Sequence, residues 1–386
     1  MIFAMNEKFE VMNVLECERA FLKEKQRENW FCLACHEKVQ LRVGTVVSPY
    51  FAHQKQSQCE VFSENESPTH LALKTLFYNW AKDNGLKAEL EAYLPELHQR
   101  PDVLIEGRIA LEIQCSEISL ERFTERTENY KAHGYQPFWL LGPKFKVRKC
   151  TQQSMKKFLS FHELSGFSFF SLNAKDERLI LYYAIFETVC GKIVSKQVEF
   201  LIGEGMLLEI LNRPNVLCGG EITFDSKTIL REVHNKRMKK LRAGDKFMRS
   251  VQQHLYQKNL HLLSLPKYYY YPPVKPLFMK QDDFSWKQVL FSQLEEGSTA
   301  EACEKALLSS RLECFSFPLI HFEEVVREFI RLEILGLDTI NCLEVQGDQF
   351  KLIPHQTKHL IPYDFAWEEV PDFSIKLPHN ALFNEG

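Results

Sequence analysis

The chain has 386 residues, of which 45% are hydrophobic and 26% are charged, and its formal net charge is −3. These values are typical of a globular protein of two or three domains, and they exclude a protein that binds nucleic acid through an overall positive charge. The eleven cysteines are scattered, and neither a secretory signal nor a run of about 18 apolar residues occurs. We therefore expect a cytoplasmic protein without a membrane span, whose cysteines are thiols or metal ligands.

A set of potential zinc ligands lies near the start of the chain. It consists of Cys32, Cys35, His53 and Cys59. Two residues separate the first pair of cysteines, seventeen follow before the histidine, and five more before the last cysteine. Zn²⁺ prefers four tetrahedral sulfur and nitrogen ligands, so the spacing predicts a structural zinc site around a small hairpin. Cys17 and His36 are alternative ligands, and the competing interpretation is a chance pair of buried thiols.

Helix caps and hydrophobic periodicity predict the elements that follow. Ser67 is an N-cap, Pro68 fits the first helical position, and Gly85 ends the helix. Three strands, a helix and a buried strand are then predicted at residues 86–94, 103–105, 109–115, 119–133 and 137–141. The predicted order from residue 68 to residue 141 is therefore helix, three strands, helix and strand.

Acidic residues mark the hairpin at the centre of this region. Asp102 stands at the start of one strand, while Glu112 and Gln114 lie two apart on the next and share a face. The hairpin brings the two carboxylates close together, and carboxylates are ligands that Mg²⁺ and Mn²⁺ prefer. A metal held there would polarise a phosphodiester and activate water. The alternative is that Asp102 only caps a turn.

Residues 166–172, 178–187 and 194–200 are predicted strands, and residues 231–265 are predicted to be helical and basic. Seven cations and one acid lie between residues 236 and 249, which is typical of a phosphate-binding surface or of a solvated helix face. The candidate nucleic-acid contacts are Lys236, Arg237, Lys239, Lys240 and Arg242.

The tyrosine-rich segment 267–273 is predicted to be a packed linker, and base stacking by its tyrosines is the alternative.

Three helices and a hairpin are predicted in the last third of the chain, in an order that is typical of a winged helix. The helices lie at residues 286–296, 300–310 and 322–335, and the hairpin turns at Gly347. Residues 284–354 contain six Lys and Arg against twelve Asp and Glu. This negative charge disfavours contact with phosphates, so we expect a packing or protein-partner module.

Four features in order resemble the competence protein CoiA family. They are the cysteine pair with Phe51-Ala52-His53, the helix start from Ser67 to Lys74, Pro101-Asp102 with Glu112-Ile113-Gln114-Cys115-Ser116, and the helix through Arg126 and Tyr130 with Phe138-Trp139-Leu140-Leu141. The resemblance covers roughly residues 1–145. It implies a mixed α/β (α+β) fold with a restriction-endonuclease-like αβββαβ core of the PD-(D/E)XK superfamily. The expected domains are a zinc-finger-like region (1–62), a nuclease-like domain (63–205) and a mainly helical region (206–386).

The resemblance also implies roles for individual residues. Asp102 and Glu112 occupy the metal-binding carboxylate positions, with the carbonyl of Ile113 as a further candidate ligand. Gln114 stands where the wider superfamily usually has lysine. A neutral amide can orient water but cannot offset charge. Either His70 or Lys74 on the preceding helix supplies that function, or the metal does most of the activation, or the site binds DNA and cuts slowly or not at all. Glu66 is the candidate acidic residue of the same helix.

Three functions follow as alternatives. The first, which the resemblance implies, is a Mg²⁺- or Mn²⁺-dependent deoxyribonuclease that processes incoming DNA during transformation, with single-stranded or branched DNA and recombination or competence proteins as partners. The second is a catalytically weak DNA-binding or scaffold protein on a nuclease fold, because of Gln114. The third is a zinc-stabilised interaction protein whose carboxylates are structural.

Overall fold

The computed structural model of the chain describes most of its residues. The described ranges are 1–14, 16–33, 35–45, 49–54, 68–163, 165–173, 178–201, 207–212, 218–257, 259–262, 265–280, 283–310, 312–353 and 370–377. The predicted site residues Cys59 and Glu66 lie outside them. The chain divides into two compact units, the first formed by residues 1–145, 169–181 and 198–214 and the second by the remaining residues. None of the described helices is long and apolar enough to cross a membrane.

A small antiparallel sheet opens the first unit. Its strands, in spatial order, are β2 (Val11–Asn13), β1 (Phe3–Asn6), β3 (Trp30–Phe31), β4 (Lys38–Arg42) and β5 (Tyr50–His53), and helix α1 spans Arg19–Lys25. Buried Val39 and Leu41 alternate with exposed residues along β4, the pattern of a sheet with one face on a core. Strands β4 and β5 pair antiparallel, which confirms the predicted hairpin and places His53 opposite Val39.

The predicted αβββαβ order is confirmed in the region that follows. The elements are α2 (Pro68–Asp83), β6 (Ala88–Leu90), β7 (Val103–Ile105), β8 (Ile109–Gln114), α3 (Leu120–Ala132) and β9 (Gln136–Leu141). Helix α2 ends at Gly85, whose φ of +73° is the left-handed conformation that glycine adopts without steric cost. Helix α3 begins where the Ser119 side chain accepts a hydrogen bond from the Arg122 amide.

The central sheet of this unit is mixed. Strands β6, β7 and β8 pair antiparallel, whereas β9 runs parallel to β8 and β11 (Gly166–Asn173) runs parallel to β9. Strands β12 (Arg178–Thr188) and β13 (Ile193–Leu201) continue the order beyond β11, and these long strands contribute residues to both units. All six residues of β8 are buried, not only the apolar face that alternation predicts, so both faces of this interior strand are covered.

Two backbone features shape the ends of these strands. Strand β6 is shorter than the predicted 86–94 because Glu91 takes a left-handed conformation, with φ of +49°, directly after it. Beyond β9, the amide of Gly142 donates to the carbonyl of Gln114 at 2.8 Å. A Cβ atom on Gly142 would lie 2.9 Å from the sulfur of Cys115, so the two chain segments leave β8 and β9 in direct contact.

The second unit contains the remaining strands and most of the later helices. Helix α5 (Leu207–Asn212) still belongs to the first unit. The elements of the second unit include α4 (Gln153–Lys156), β10 (Ser160–His162), α6 (Ser226–Arg242), α7 (Lys246–Gln257), β15 (Val274–Lys275), and the antiparallel pair β14 (Gly220–Phe224) and β19 (Phe373–Leu377). The single helical region predicted at 231–265 is two helices, because Gly244 with φ of +79° ends α6.

The three helices and the hairpin predicted in the last third are present. They are α8 (Asp283–Glu296), α9 (Ala300–Ser309), α10 (Phe322–Thr339), and the hairpin of β17 (Leu343–Gln346) and β18 (Gln349–Leu352), which β16 (Ser298–Thr299) extends. Tyr268, Tyr269, Tyr270 and Tyr271 are all buried. They therefore form a packed linker, as predicted, and offer no exposed surface for base stacking.

Candidate active site and metal centre

Asp102 is the centre of a buried polar cluster next to strand β7. One carboxylate oxygen, Oδ2, lies 2.9 Å from His70 Nε2 and accepts a hydrogen bond of 2.7 Å from the amide of Ile113. The other, Oδ1, lies 3.0 Å from Lys74 Nζ. Burial by itself would raise the pKa of Asp102, but the charges of His70 and Lys74 and the hydrogen bonds lower it well below its usual range. Asp102 is therefore held ionised.

Lys74 reaches this carboxylate from helix α2. Its side chain is only 2% exposed, and its ammonium also lies 3.0 Å from Oε1 of Glu91. The second oxygen of Glu91, Oε2, accepts a hydrogen bond of 3.2 Å from the amide of Ile2. A buried ammonium is stable only when it is paired, and here two carboxylates share it. The predicted helix residues His70 and Lys74 are thus brought to Asp102.

Glu112 is held from the other side by helix α3. Arg126 and Tyr130, four residues apart on one face of the helix, both bind Glu112 Oε1, the tyrosine hydroxyl at 2.6 Å. Arg126 also donates to the carbonyl of Arg100 at 3.2 Å. Burial raises the pKa of Glu112; the charge of Arg126 opposes this, the charge of Asp102 adds to it, and the pKa stays above its ordinary value.

Gln114 and Ile113 complete the segment. Gln114 is buried, and its side-chain nitrogen donates to the carbonyl of Ser116 at 2.8 Å. Ile113 contributes its amide to Asp102. The positive charge beside Asp102 comes from Lys74, on helix α2.

The chemistry of these donors fits a divalent cation with a preference for oxygen. Carboxylate oxygens are the ligands of Mg²⁺ and Mn²⁺. Among the hydrogen bonds of the described residues, none reaches Oε2 of Glu112, so this oxygen can bind a ligand. Both oxygens of Asp102 already have partners: Lys74 at Oδ1, and His70 and the Ile113 amide at Oδ2. A metal at Asp102 would therefore share that carboxylate with Lys74 and His70.

The second candidate centre lies in the small sheet. The ligand atoms of Cys32, Cys35 and His53 all lie within 4.8 Å of one another, and Cys35 Sγ is 3.3 Å from His53 Nε2. Burial lowers the pKa of His53, which favours the neutral imidazole that binds metals. Two thiols and an imidazole fit Zn²⁺, which takes four such ligands. The cluster contains neither Cys17 nor His36, and the fourth predicted ligand, Cys59, lies outside the described residues.

The candidate nucleic-acid contacts on α6 separate into two groups. Exposed side chains are those of Lys236, Lys239, Lys240 and Arg242. Arg237, in contrast, is 4% exposed, and its guanidinium lies 4.6 Å from the ring centroid of Tyr270 and 4.2 Å from that of Phe284. This arginine packs on aromatic rings, so it does not present its charge to a phosphate at the surface.

Sequence reasoning missed three members of the buried cluster. They are Glu91, Arg126 and Tyr130, to which the sequence pattern gives no role in the site. The spacing of Arg126 and Tyr130, four residues apart on the helix that follows an acidic strand, is a signal that could have identified them. Glu91 had no such signal, because the direction of its side chain depends on its own left-handed backbone conformation directly after β6.

A mixed sheet flanked by helices, with buried acidic residues on its central hairpin, defines a nuclease-like domain. The family model described as the nuclease-like domain of competence protein CoiA matches residues 66–214, and the model of the CoiA N-terminal domain matches residues 15–62. Together the two models cover just over half of the chain, in the order of that family. The chain belongs to the competence protein CoiA family.

A curated relative agrees with this assignment. The chain is 32% identical over 161 residues to a protein of Bacillus subtilis (strain 168) that is named competence protein CoiA. The match covers 41% of this chain and 41% of the length of that relative. No solved structure matches the chain.

Proposed function

We propose that the protein is a metal-dependent deoxyribonuclease that processes incoming DNA during genetic transformation. The observation that carries this proposal is the position of Lys74, whose buried ammonium lies 3.0 Å from Asp102. A nuclease site needs a positive charge beside its metal-binding carboxylates, and Gln114 cannot provide one. Lys74 provides it from helix α2, so the departure at position 114 does not leave the site without a cation.

Each residue of the site would have a separate role in phosphodiester hydrolysis. Asp102 and Glu112 would hold Mg²⁺ or Mn²⁺, which lowers the pKa of bound water and polarises the phosphodiester. Lys74 stabilises the negative charge that develops on the phosphate. His70 lies 2.9 Å from Asp102, and its neutral form would accept a proton from the attacking water. Gln114 orients water, and the Ile113 carbonyl and Glu66 remain candidates for support.

The test is cleavage of labelled single-stranded, branched and duplex DNA in Mg²⁺ or Mn²⁺. Wild type should cleave, and Asp102→Ala and Glu112→Ala should lose at least about a hundredfold in rate. Glu89→Ala is the matched control, because it removes an exposed carboxylate from the neighbouring strand β6. Absence of metal-dependent cleavage by the wild type on every substrate contradicts the proposal.

A second function is favoured by one observation, namely that cationic side chains already compensate the carboxylates. Lys74 and Arg126 form ion pairs with Asp102 and Glu112. A site neutralised in this way is also suited to a DNA-binding or scaffold protein that assists recombination partners without cutting. Salt-sensitive DNA binding without cleavage would select this alternative, and stable protein complexes without DNA binding would select an interaction protein.

We further propose a structural zinc ion bound by Cys32, Cys35, His53 and Cys59. Purified wild type should contain about one equivalent of zinc by mass spectrometry, as a closed four-ligand site requires. Cys35→Ser should lose it, whereas Cys17→Ser, which removes a thiol outside the cluster, should retain it. Retention of full zinc by Cys35→Ser would contradict the assignment.

The organisation of the whole chain is part of the same proposal. It comprises a zinc-finger-like region (1–62), a nuclease-like domain (63–205) and a mainly helical region (206–386), in a cytoplasmic protein. The exposed cations of α6 are proposed to bind DNA phosphates, and recombination or competence proteins are the proposed partners.

A further inference from the structure

Glu91 lies beside the candidate site with a conformation and contacts that its sequence position did not predict. Its φ of +49° places a non-glycine residue in the left-handed region, which persists only where surrounding contacts hold it. Its side chain is 2% exposed. Its amide donates to the carbonyl of Asp102 at 3.2 Å. The backbone of Glu91 is thus hydrogen-bonded directly to the residue at the centre of the cluster.

Both carboxylate oxygens of Glu91 have a defined partner. Oε1 lies 3.0 Å from Lys74 Nζ, and Oε2 accepts from the Ile2 amide at 3.2 Å. Lys74 is therefore held between Glu91 and Asp102, each at 3.0 Å. A lysine side chain has four rotatable carbon bonds and is fixed only by what it contacts. Asp102 is a proposed metal ligand, whereas Glu91 is not, so Glu91 can be changed without removing a metal ligand.

The partner of Oε2 belongs to the small N-terminal sheet. Ile2 is fully buried there, and its neighbour Met1 accepts a hydrogen bond of 2.9 Å from the amide of Phe51 in β5. Strand β5 also carries His53 of the candidate metal centre. A continuous series of contacts therefore leads from the N-terminal sheet through Ile2 and Glu91 to Lys74.

We propose that Glu91 is the positioning residue for Lys74 and that the N-terminal sheet supports the candidate active site through it. This inference rests on the proposed nuclease function. Glu91 fixes the ammonium at Asp102, where the phosphate charge develops, and does not itself contact the substrate. The N-terminal sheet and the nuclease-like domain accordingly act as one functional assembly.

Glu91→Gln tests the charge of Glu91 while preserving its shape. The amide oxygen of glutamine can still accept from Ile2, but its NH₂ group cannot bind an ammonium. Glu89→Gln is the matched control, because it removes an exposed charge two residues earlier. Both variants should unfold cooperatively and above the assay temperature in thermal melts, which excludes a loss of fold as the cause of any effect.

The first measurement is amine labelling of Lys74 in the full-length, DNA-free protein, followed by mass spectrometry. We expect labelling several times faster in Glu91→Gln than in wild type, because an anchoring carboxylate 3.0 Å from the ammonium is gone, and unchanged labelling in Glu89→Gln. Equal labelling rates in wild type and Glu91→Gln would overturn the proposal. This measurement requires no activity, so it remains decisive if the wild type fails to cleave DNA and the proposed function is wrong.

The second measurement is the steady-state kinetics of DNA cleavage. Glu91→Gln should lower kcat by about tenfold or more and leave KM nearly unchanged, because a misplaced Lys74 weakens transition-state stabilisation but not the binding of the DNA. Glu89→Gln should leave both constants unchanged. A cleaving wild type with an equally active Glu91→Gln variant would overturn the positioning role while leaving the proposed nuclease function intact.

Discussion

The contribution of a tyrosine hydroxyl to the free energy of unfolding depends on whether its hydrogen bond is buried, and Tyr130 and Tyr135 allow a comparison. Tyr130 donates to Glu112 at 2.6 Å inside the cluster, and Tyr135 donates to Glu96 at 2.7 Å near the surface. Removal of the buried hydroxyl leaves a carboxylate oxygen with one donor fewer. We expect Tyr130→Phe to lower the free energy of unfolding by about 1–2 kcal/mol and Tyr135→Phe by less than about 0.5 kcal/mol. Urea unfolding measures both, and equal losses would contradict the expected dependence on burial.

Lys156 gives a prediction about pH. It is 1% exposed, donates to the carbonyl of Leu277 and lies 3.8 Å from the ring centroid of Phe315. Burial lowers the pKa of Lys156 from 10.5 to about 8. Between about pH 8 and pH 10.5, Lys156 is mostly deprotonated in the folded chain but protonated in the unfolded chain. The unfolded chain therefore binds more protons, and the free energy of unfolding should rise with pH over this range.

Lys156→Met should remove most of this rise in the free energy of unfolding. Urea unfolding at about pH 7.5, below the pKa of Lys156 in the folded chain, and at about pH 9.5, above it, measures the rise. Lys305→Met is the control, since Lys305 is 75% exposed. A rise of the same size in wild type and Lys156→Met would show that another group is responsible.

Among the elements, helix α3 is the one that supplies Arg126 and Tyr130 to the site. Its first turn is capped by the side chain of Ser119, which accepts from Arg122 N at 3.1 Å. Ser119→Ala should lower the free energy of unfolding by about 1 kcal/mol. Ser292→Ala is the matched control, because that hydroxyl only donates to a carbonyl within α8 at 2.8 Å and should change stability by less than about 0.5 kcal/mol. Thermal and urea melts compare the variants, and a larger loss in Ser292→Ala would contradict this account.

Elements were predictable where a local signal defines them. Periodicity and caps located α2, α3 and the strands from β7 to β9, because each signal lies within the element itself. The end of β6 and the break after α6 depend on the left-handed residues Glu91 and Gly244, which an alternating or helical pattern conceals. Asp102 and Glu112 were predicted as a pair because they lie on, or directly before, two adjacent strands. The contact of Lys74 with Glu91 joins residues from two different parts of the chain, and no spacing in the sequence predicts it.

For the whole molecule, a net charge of −3 means that DNA binding has to depend on local cations. The exposed face of α6 is the proposed location. Replacing both Lys239 and Lys240 by alanine should weaken DNA binding and reduce the slope of log affinity against log salt by about 2. Lys305→Ala with Lys351→Ala removes the same charge from the acidic last third and should leave the slope unchanged. Filter binding across a salt series measures both, and an unchanged slope for the α6 variant would exclude this face.

The contact between Gly142 and Cys115 has a consequence for mutational tolerance. Position 142 carries no functional group and lies outside the strands, so it resembles a position that accepts substitution freely. Even an alanine there, however, would bring its Cβ to 2.9 Å from a sulfur and 3.3 Å from the Gln114 carbonyl oxygen, so the segment that follows Glu112 would have to shift. A library that randomises residues 142–144 and selects for folded protein should recover varied residues at 143 and 144 but glycine at 142.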